Sequence, residues 1–244
     1  MIGRNSNPVF SRLILSWFLF LSTPAFVNGQ KVELATDLVE QFKNNRVFWQ
    51  QFKIAQKLVN LHDTAVLKQL NSYLNDDDRH VRGNAAFVFA ALGDDRGFEV
   101  IGDILKDRSN RPVGQGRAGG WSTVAQITSD RYYAAHLFGD LKDARAVPIL
   151  IPLLKDRDVN WIVPWSLGEI GDKSTVPPLI ETLSDQSPDM RVLAIYALEK
   201  LKAKQALPQL HLLVNDDEKI HFDGLGTVAE AAKAAIAKLS VIPE

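Results

Sequence analysis

The chain has 244 residues and contains no cysteine. This absence excludes disulfide bonds, thiol chemistry and a lipid-modified cysteine anchor within the chain. The composition is otherwise that of an ordinary globular protein, with 46% hydrophobic and 23% charged residues. We therefore predict a fold that is stabilised by a large hydrophobic core and needs no covalent cross-links.

The sequence also lacks an excess of positive charge. It has 28 Lys and Arg against 29 Asp and Glu, which gives a formal net charge of −1. Nucleic-acid binding depends on neutralising phosphates with basic side chains. A weakly acidic protein is a poor phosphate binder, so we predict no nucleic-acid partner.

Charged residues are almost missing from the first twenty-nine residues, where Arg4 and Arg12 are the only ones. The apolar run at 13–27 is short for a membrane span and typical of a signal-peptide core. We predict a signal peptide over 1–29, cleaved after Gly29, with no membrane span in the mature chain. The protein would then be periplasmic or extracellular in a bacterium. An uncleaved segment that anchors it in the inner membrane is the alternative.

The rest of the chain repeats one pattern: an apolar helix, a turn, a second apolar helix and a closing aspartate. The positions nine, six, five and two residues before each turn, and four, seven and eleven after it, are almost all apolar. These offsets place the apolar side chains on one face of each helix. The turn positions, spaced by 31, 49, 29 and 31 residues, are Asp63, Asp94, Asp143, Asp172 and Ala203. Such a period predicts an all-α solenoid of about five to six two-helix repeats.

The spacing also predicts the domain boundaries. A single repeat domain covers 30–244, and the long spacing of 49 residues indicates an insertion at 108–129. The insertion contains four glycines, which disfavour a helix, so we predict a loop. The predicted segments are a cap at 31–45, repeats at about 46–76, 77–107, 130–156, 157–185 and 186–216, and a terminal cap at 217–244.

One repeat carries a specific resemblance. Its order of residues is Leu141, Asp143, Arg145, Ala146, Val147, Pro148, Leu150 and Asp156. This order resembles HEAT repeats, and most closely the short HEAT-like repeats also seen in phycobilisome lyases. The resemblance covers about 46–239 and implies a right-handed superhelix of paired antiparallel helices that binds other proteins. The pattern itself encodes stacking and is no evidence of lyase activity.

A regular row of aspartates closes the repeats. Its members, thirteen residues after each turn position, are Asp76, Asp107, Asp156, Asp185 and Asp216. They could bind cations, or they could accept hydrogen bonds from the N–H groups at the start of the next helix. Arg82, Arg131 and Arg191 share a register and could reach them. We favour the capping role and predict no metal site.

A second set of positions lies about 180° from the apolar stripe of the first helices, and we expect it to face solvent. Exposed aromatic rings at these positions are typical of protein interfaces. We predict a partner-binding site formed by Phe87, Tyr132, His136, Trp161, Trp165 and Tyr196, together with Arg111, Arg117 and Trp121 of the insertion. Two other interpretations stay open: the insertion folds over these rings, or a second copy covers them in a homodimer.

No catalytic motif is present. None of the five histidines is followed by glutamate, and the glycine-rich insertion lacks the ending of a phosphate-binding loop. We predict an exported scaffold that binds another protein, with no catalysis of its own and no cofactor. The alternative is a lyase-related enzyme or enzyme-accessory protein that uses the insertion and the adjacent aromatic and histidine surface.

Overall fold

The computed structural model describes residues 24–109, 123–221 and 226–242, and their side chains except those of 24–28 and 123–126. These described residues form twelve α-helices, and their only β-structure is an isolated bridge between Lys219 and Thr227. The prediction of an all-helical repeat fold is confirmed. The helices are α1 (Pro24–Asn44), α2 (Phe48–Asn60), α3 (Ala65–Leu70), α4 (Arg79–Ala91), α5 (Asp95–Lys106), α6 (Thr123–Leu141), α7 (Val147–Leu150), α8 (Val163–Ile170), α9 (Val176–Thr182), α10 (Pro188–Lys200), α11 (Leu207–Leu212) and α12 (Val228–Ser240).

The chain divides into two compact units, the first ending at Ser72 and the second beginning at Tyr73. In the first unit, α1 packs against α2 and α3. Leu38, Val39 and Phe42 of α1 are buried, whereas Val32 and Leu34 near the start of the predicted cap are exposed. The buried face of the cap therefore begins after Leu34.

The second unit is a stack of repeats. The first helices of successive repeats, α4, α6, α8, α10 and α12, pack against one another in that order. The predicted apolar stripe forms the core between them, with Phe89, Leu137 and Leu167 fully buried. Burial of each such side chain contributes about 1.5–3 kcal/mol. The repeats are therefore held together mainly by the stripe that the sequence pattern identifies.

Each repeat turns in the same way between its two helices. The residue just before every turn position has a positive φ angle, which ends the first helix. These residues are His62 (50°), Gly93 (89°), Lys142 (55°), Gly171 (79°) and Lys202 (52°). Four of the five turn positions are aspartates. The side chain of each accepts a hydrogen bond from the backbone N–H two residues later, for example from Arg145 N to Asp143 Oδ1 at 2.9 Å.

The closing aspartates form turns just before the next helix and do not cap it as we had favoured, since the N-cap residues of α4 and α10 are Asp78 and Ser187. Each accepts a hydrogen bond from the backbone N–H two residues later, which orders the connection to the next repeat. The donor–acceptor pairs are Asp78 to Asp76, Ser109 to Asp107, Asp158 to Asp156, Ser187 to Asp185 and Glu218 to Asp216. Arg131 and Arg191 contact the closing aspartates, as predicted: Arg131 forms an ion pair with Asp156, and Arg191 forms one with Asp216.

The register shared by these arginines is polar in every repeat, and the sequence analysis had not noted its other members, Gln51 and Asn160. It lies twelve residues before each turn position, and its side chain donates to a backbone carbonyl near the end of the preceding helix or just after it. The bonds run from Gln51 to Phe42, Arg82 to Asp76, Arg131 to Leu105, Asn160 to Leu154 and Arg191 to Asp185. This position satisfies carbonyls that would otherwise be buried without a partner.

Three of the second helices begin with a proline in the same place. Pro148, Pro177 and Pro208 each lie in the first two positions of a helix, where a missing N–H costs nothing. Pro164 has the same place in α8 and delays its start, since a 3₁₀ turn at Asn160–Ile162 precedes it.

Two of the predicted boundaries, at residues 29 and 129, fall inside helices. The insertion predicted at 108–129 is helical from Thr123, because its last seven residues contain neither glycine nor proline and extend α6 backwards. Most of the predicted signal peptide lies outside the described residues, and α1 continues through Gly29, where we predicted cleavage. Among the described helices, none combines the length and apolar character needed to cross a membrane.

Candidate functional site

Three of the predicted aromatic residues in successive repeats present their rings to solvent, Tyr132 on α6, Trp161 in the 3₁₀ turn before α8 and Tyr196 on α10. Tyr132 is 38%, Trp161 53% and Tyr196 45% exposed. His136 and Trp165 are half-buried between them. We call these five residues the aromatic face. Large exposed rings on adjacent repeats are a feature that the stacking of helices does not require.

Phe87 does not belong to the aromatic face, because it is buried. The reason is that α4 packs against both α5 and α6 and is enclosed on almost all sides. The prediction of an exposed ring at Phe87 was wrong. The predicted residues Arg111, Arg117 and Trp121 lie outside the described residues.

The centre of the aromatic face is a contact between two repeats. The imidazole of His136 on α6 stacks on the indole of Trp165 on α8, with 4.4 Å between ring centroids and 20° between ring planes. Gly139 makes this approach feasible, since a Cβ at this position would lie 2.7 Å from Trp165 Cζ3 and 2.9 Å from the Cα of Ser166. A larger residue would force α6 and α8 apart.

A carboxylate lies close to His136. Asp140 lies one turn further along α6, and its Oδ2 is 3.0 Å from Nδ1 of His136. Tyr133 flanks the imidazole on the other side at a centroid distance of 6.4 Å and donates its phenolic hydrogen to Asn84 Oδ1. Burial, together with the negative charge of Asp140, raises the pKa of Tyr133 far above its ordinary value. Tyr133 therefore stays a neutral donor.

Beneath the aromatic face lies a buried group of charged residues. Arg79 Nη1 is 3.1 Å from Asp130 Oδ2, and Arg79 Nη2 is 2.8 Å from Asp107 Oδ2. His80 Nδ1 lies 3.3 Å from the other oxygen of Asp130, and its ring is 5.0 Å from that of Tyr133. Since Asp107 and Asp130 stand on either side of the undescribed residues 110–122, this network ties both ends of the insertion to α4.

The sequence analysis missed Asp140, Tyr133 and this buried network. The contact between His136 and Asp140 could have been predicted from the sequence, because side chains four residues apart are neighbours on a helix. The pairing of His80 with Asp130 could not, since the two residues are 50 positions apart and lie on opposite sides of the insertion.

Two stretches of the chain match family models. Residues 158–221 match HEAT repeats, and residues 130–156 match the PBS lyase HEAT-like repeat. The resemblance to HEAT repeats is thereby confirmed for both stretches, and the resemblance to the repeats of phycobilisome lyases is confirmed for 130–156. Together the two stretches include all five residues of the aromatic face.

Two curated proteins are similar over part of their length. The phycocyanobilin lyase subunit alpha of Picosynechococcus sp. is 38% identical over 120 residues, which cover 44% of this chain and 40% of that protein. The bilin biosynthesis protein PecE of Mastigocladus laminosus is 35% identical over 94 residues, or 37% of this chain and 35% of that protein. The matched region thus spans less than half of each relative.

Two solved structures of artificial proteins are similar to the chain. A designed armadillo repeat protein has a TM-score of 0.43 at 17% identity, covering 83% of this chain and 98% of that one. An engineered protein has a TM-score of 0.45 at 16% identity, covering 86% of this chain and 58% of that one.

The similarity to bilin proteins corrects our functional prediction. We expected a scaffold without catalysis, but the first relative is named as a lyase and the second as a biosynthesis protein. The main prediction, including the statement that the protein is no enzyme, was wrong. The error arose because the repeat pattern reports stacking, and we took a stacked fold with no familiar catalytic motif to be only a scaffold. The findings support the lyase-related alternative.

Proposed function

We propose that the protein is a bilin lyase-related enzyme or enzyme subunit that binds a bilin on the aromatic face. The observation that carries the proposal is the similarity to two proteins that are both named for bilin chemistry. A bilin is an open-chain tetrapyrrole, and its conjugated pyrrole rings favour stacking against aromatic side chains.

The arrangement of the aromatic face suits such a ligand. Tyr132, Trp161 and Tyr196 come from three successive repeats, and neighbouring helices in a stack lie about 8–10 Å apart. Rings spaced in this way provide several stacking positions along an extended chromophore. Below them, the stacked pair of His136 and Trp165 supplies a fixed polar group within an apolar surface, which is the usual composition of a ligand site.

A titration with phycocyanobilin tests this proposal. In a Tyr132→Ala, Trp161→Ala variant, the loss of two stacking contacts of about 0.5–1.5 kcal/mol each should weaken binding on the order of tenfold or more. Both side chains are exposed, so the helical content and the unfolding midpoint should stay close to those of the wild type.

The matched control is Trp49→Ala. Trp49 is 50% exposed, like Trp161, but it lies in the first unit and contacts Lys53. Its removal should leave the binding of phycocyanobilin unchanged. Failure of the wild type to bind phycocyanobilin, or equal affinity in the double variant, would refute the proposal.

We also propose that the protein acts together with another protein. One relative is named as a subunit, which supports the prediction of a protein partner. Purification of the tagged chain from its native cells, with and without added phycocyanobilin, should recover one partner in fixed ratio. Recovery of the chain alone under both conditions would count against a stable assembly.

Export stays a separate proposal, based on the apolar segment at 13–27 and the small residues that follow it. The mature protein should start at Gln30 and be found outside the cytoplasm. Cell fractionation with mass spectrometry of the N-terminus tests it, and an intact chain that retains Arg4 in the cytoplasm would contradict it.

A further inference from the structure

His136 is the titratable group whose surroundings on the aromatic face suit proton exchange with a ligand. Its side chain is 32% exposed, so it is held by neighbours and still accessible. Asp140 lies on its Nδ1 side at 3.0 Å, and the indole of Trp165 covers one ring face. A carboxylate at this distance can form an ion pair with a protonated imidazole.

The tyrosines next to His136 are unsuited to this task. Burial raises the pKa of Tyr132, and burial together with the charge of Asp140 raises that of Tyr133. Both phenols therefore stay protonated near neutral pH. Histidine is the side chain whose ordinary pKa lies in this range.

The charged groups of the neighbouring helices are engaged in pairs. On α8, Glu169 forms ion pairs with Lys142 and Lys200. On α4, His80 lies deeper than His136, with its side chain 3% exposed and facing Asp130. The acid–base chemistry of the aromatic face thus centres on His136 and Asp140.

We propose that His136 is the proton-exchanging residue of a bilin site on the aromatic face and that Asp140 is its positioning residue. This inference rests on the proposed function. The imidazolium transfers the proton on Nε2 to a basic pyrrole-type nitrogen of the bilin, so that the imidazole becomes neutral and the bilin becomes a cation. The step needs no oxidant or reductant, and its reverse returns the proton.

The proton transfer would serve a lyase reaction. A lyase adds a group across a double bond or removes it, and a protonated conjugated system is the better electrophile for addition. The chain has no cysteine, so a thiol of its own cannot be the group that is added. His136 would therefore activate the bilin toward a nucleophile from another molecule.

The direct test is a nuclear magnetic resonance titration of the full-length protein with ¹³C-labelled histidine, in the presence and absence of phycocyanobilin. The apparent pKa of His136 should change by about one unit or more when the bilin binds, since each unit reports a differential interaction of about 1.4 kcal/mol. The visible absorption of the bound bilin should change with pH, and His136→Asn and His136→Gln should abolish or displace the midpoint of that change. Asp140→Asn should displace it as well.

A second histidine–aspartate pair provides the matched control. His221 Nδ1 is 3.1 Å from Asp189 Oδ2, as in the His136 pair, but its side chain is 75% exposed. The apparent pKa of His221 should not respond to the bilin, and His221→Asn should keep the wild-type absorption midpoint.

The outcomes separate the two proposals. If the wild type does not bind phycocyanobilin, the proposed function fails and this inference with it. If the bilin binds but the His136 resonance and the absorption midpoint of the His136 variants are unchanged, the inference alone is overturned. The titration of wild-type His136 decides the matter even if a variant does not fold.

Discussion

Two glycines on α5 should respond in opposite ways to the same substitution. At Gly102, an added Cβ would lie 3.9 Å from its nearest neighbour, Phe138 Cζ, which is an ordinary contact. Alanine is favoured over glycine inside a helix by about 1 kcal/mol. We therefore expect Gly102→Ala to stabilise the protein by about 0.5–1 kcal/mol.

At Gly97, the same Cβ would lie 2.8 Å from Phe89 Cβ and closer still to the backbone of α4 at Ala86 and Ala90. Carbon atoms pack best at about 3.5–4.0 Å, and backbone atoms cannot rotate away as a side chain can. The two helices would have to separate, and overpacking of this kind costs about 1–3 kcal/mol. Gly97→Ala should therefore destabilise the protein despite the gain in helix propensity.

Urea unfolding followed by circular dichroism measures both effects. With a typical slope of about 1–3 kcal/mol per molar, the midpoints of the two variants should differ by about 0.5 M or more, with the wild type between them. Equal midpoints for Gly97→Ala and Gly102→Ala would refute the close helix contact on which the reasoning depends.

Three further predictions concern the repeat scaffold. Arg131→Ala should cost about 1–3 kcal/mol, because it removes the buried partner of Asp156 and of the Leu105 carbonyl while the exposed Arg108 still pairs with Asp156. Removal of the exposed Arg157 should cost less than about 1 kcal/mol, and urea unfolding measures both effects. Burial alone would raise the pKa of Asp107, but its hydrogen bonds and its ion pair lower the pKa overall. The carboxylate should therefore stabilise the fold above pH 4 and lose this contribution as the pH falls. Asp107→Asn should reduce this pH dependence, as measured by acid unfolding. Thr227→Ala should destabilise by about 1 kcal/mol in thermal unfolding, since it removes a helix cap; an unchanged midpoint would contradict this.

The repeat scaffold was predictable from the sequence because it depends on local periodicity. The apolar stripe, the turn positions and the closing aspartates each recur at fixed offsets, and one repeat gives the geometry of the next. Even the buried position occupied by Arg131 and Asn160 could have been found in this way, since it is polar in every repeat.

The candidate site was less predictable because it depends on contacts between repeats. Tyr132 and Tyr133 are neighbours in sequence, but a rotation of about 100° per residue leaves one exposed and buries the other. The stacking of His136 on Trp165 joins residues 29 positions apart and needs the missing side chain of Gly139. Such contacts follow from how far successive repeats rotate and approach, which the periodic pattern does not specify.

The most direct test of the account is a crystal structure of the full-length protein with phycocyanobilin bound. We expect the bilin to lie along the aromatic face, in contact with the rings of Trp161 and Trp165 and with a pyrrole nitrogen near Nε2 of His136. A bilin bound instead in the cavity of about 390 Å³ between the second helices, which Pro152 and Pro178 line, would contradict this assignment of the site.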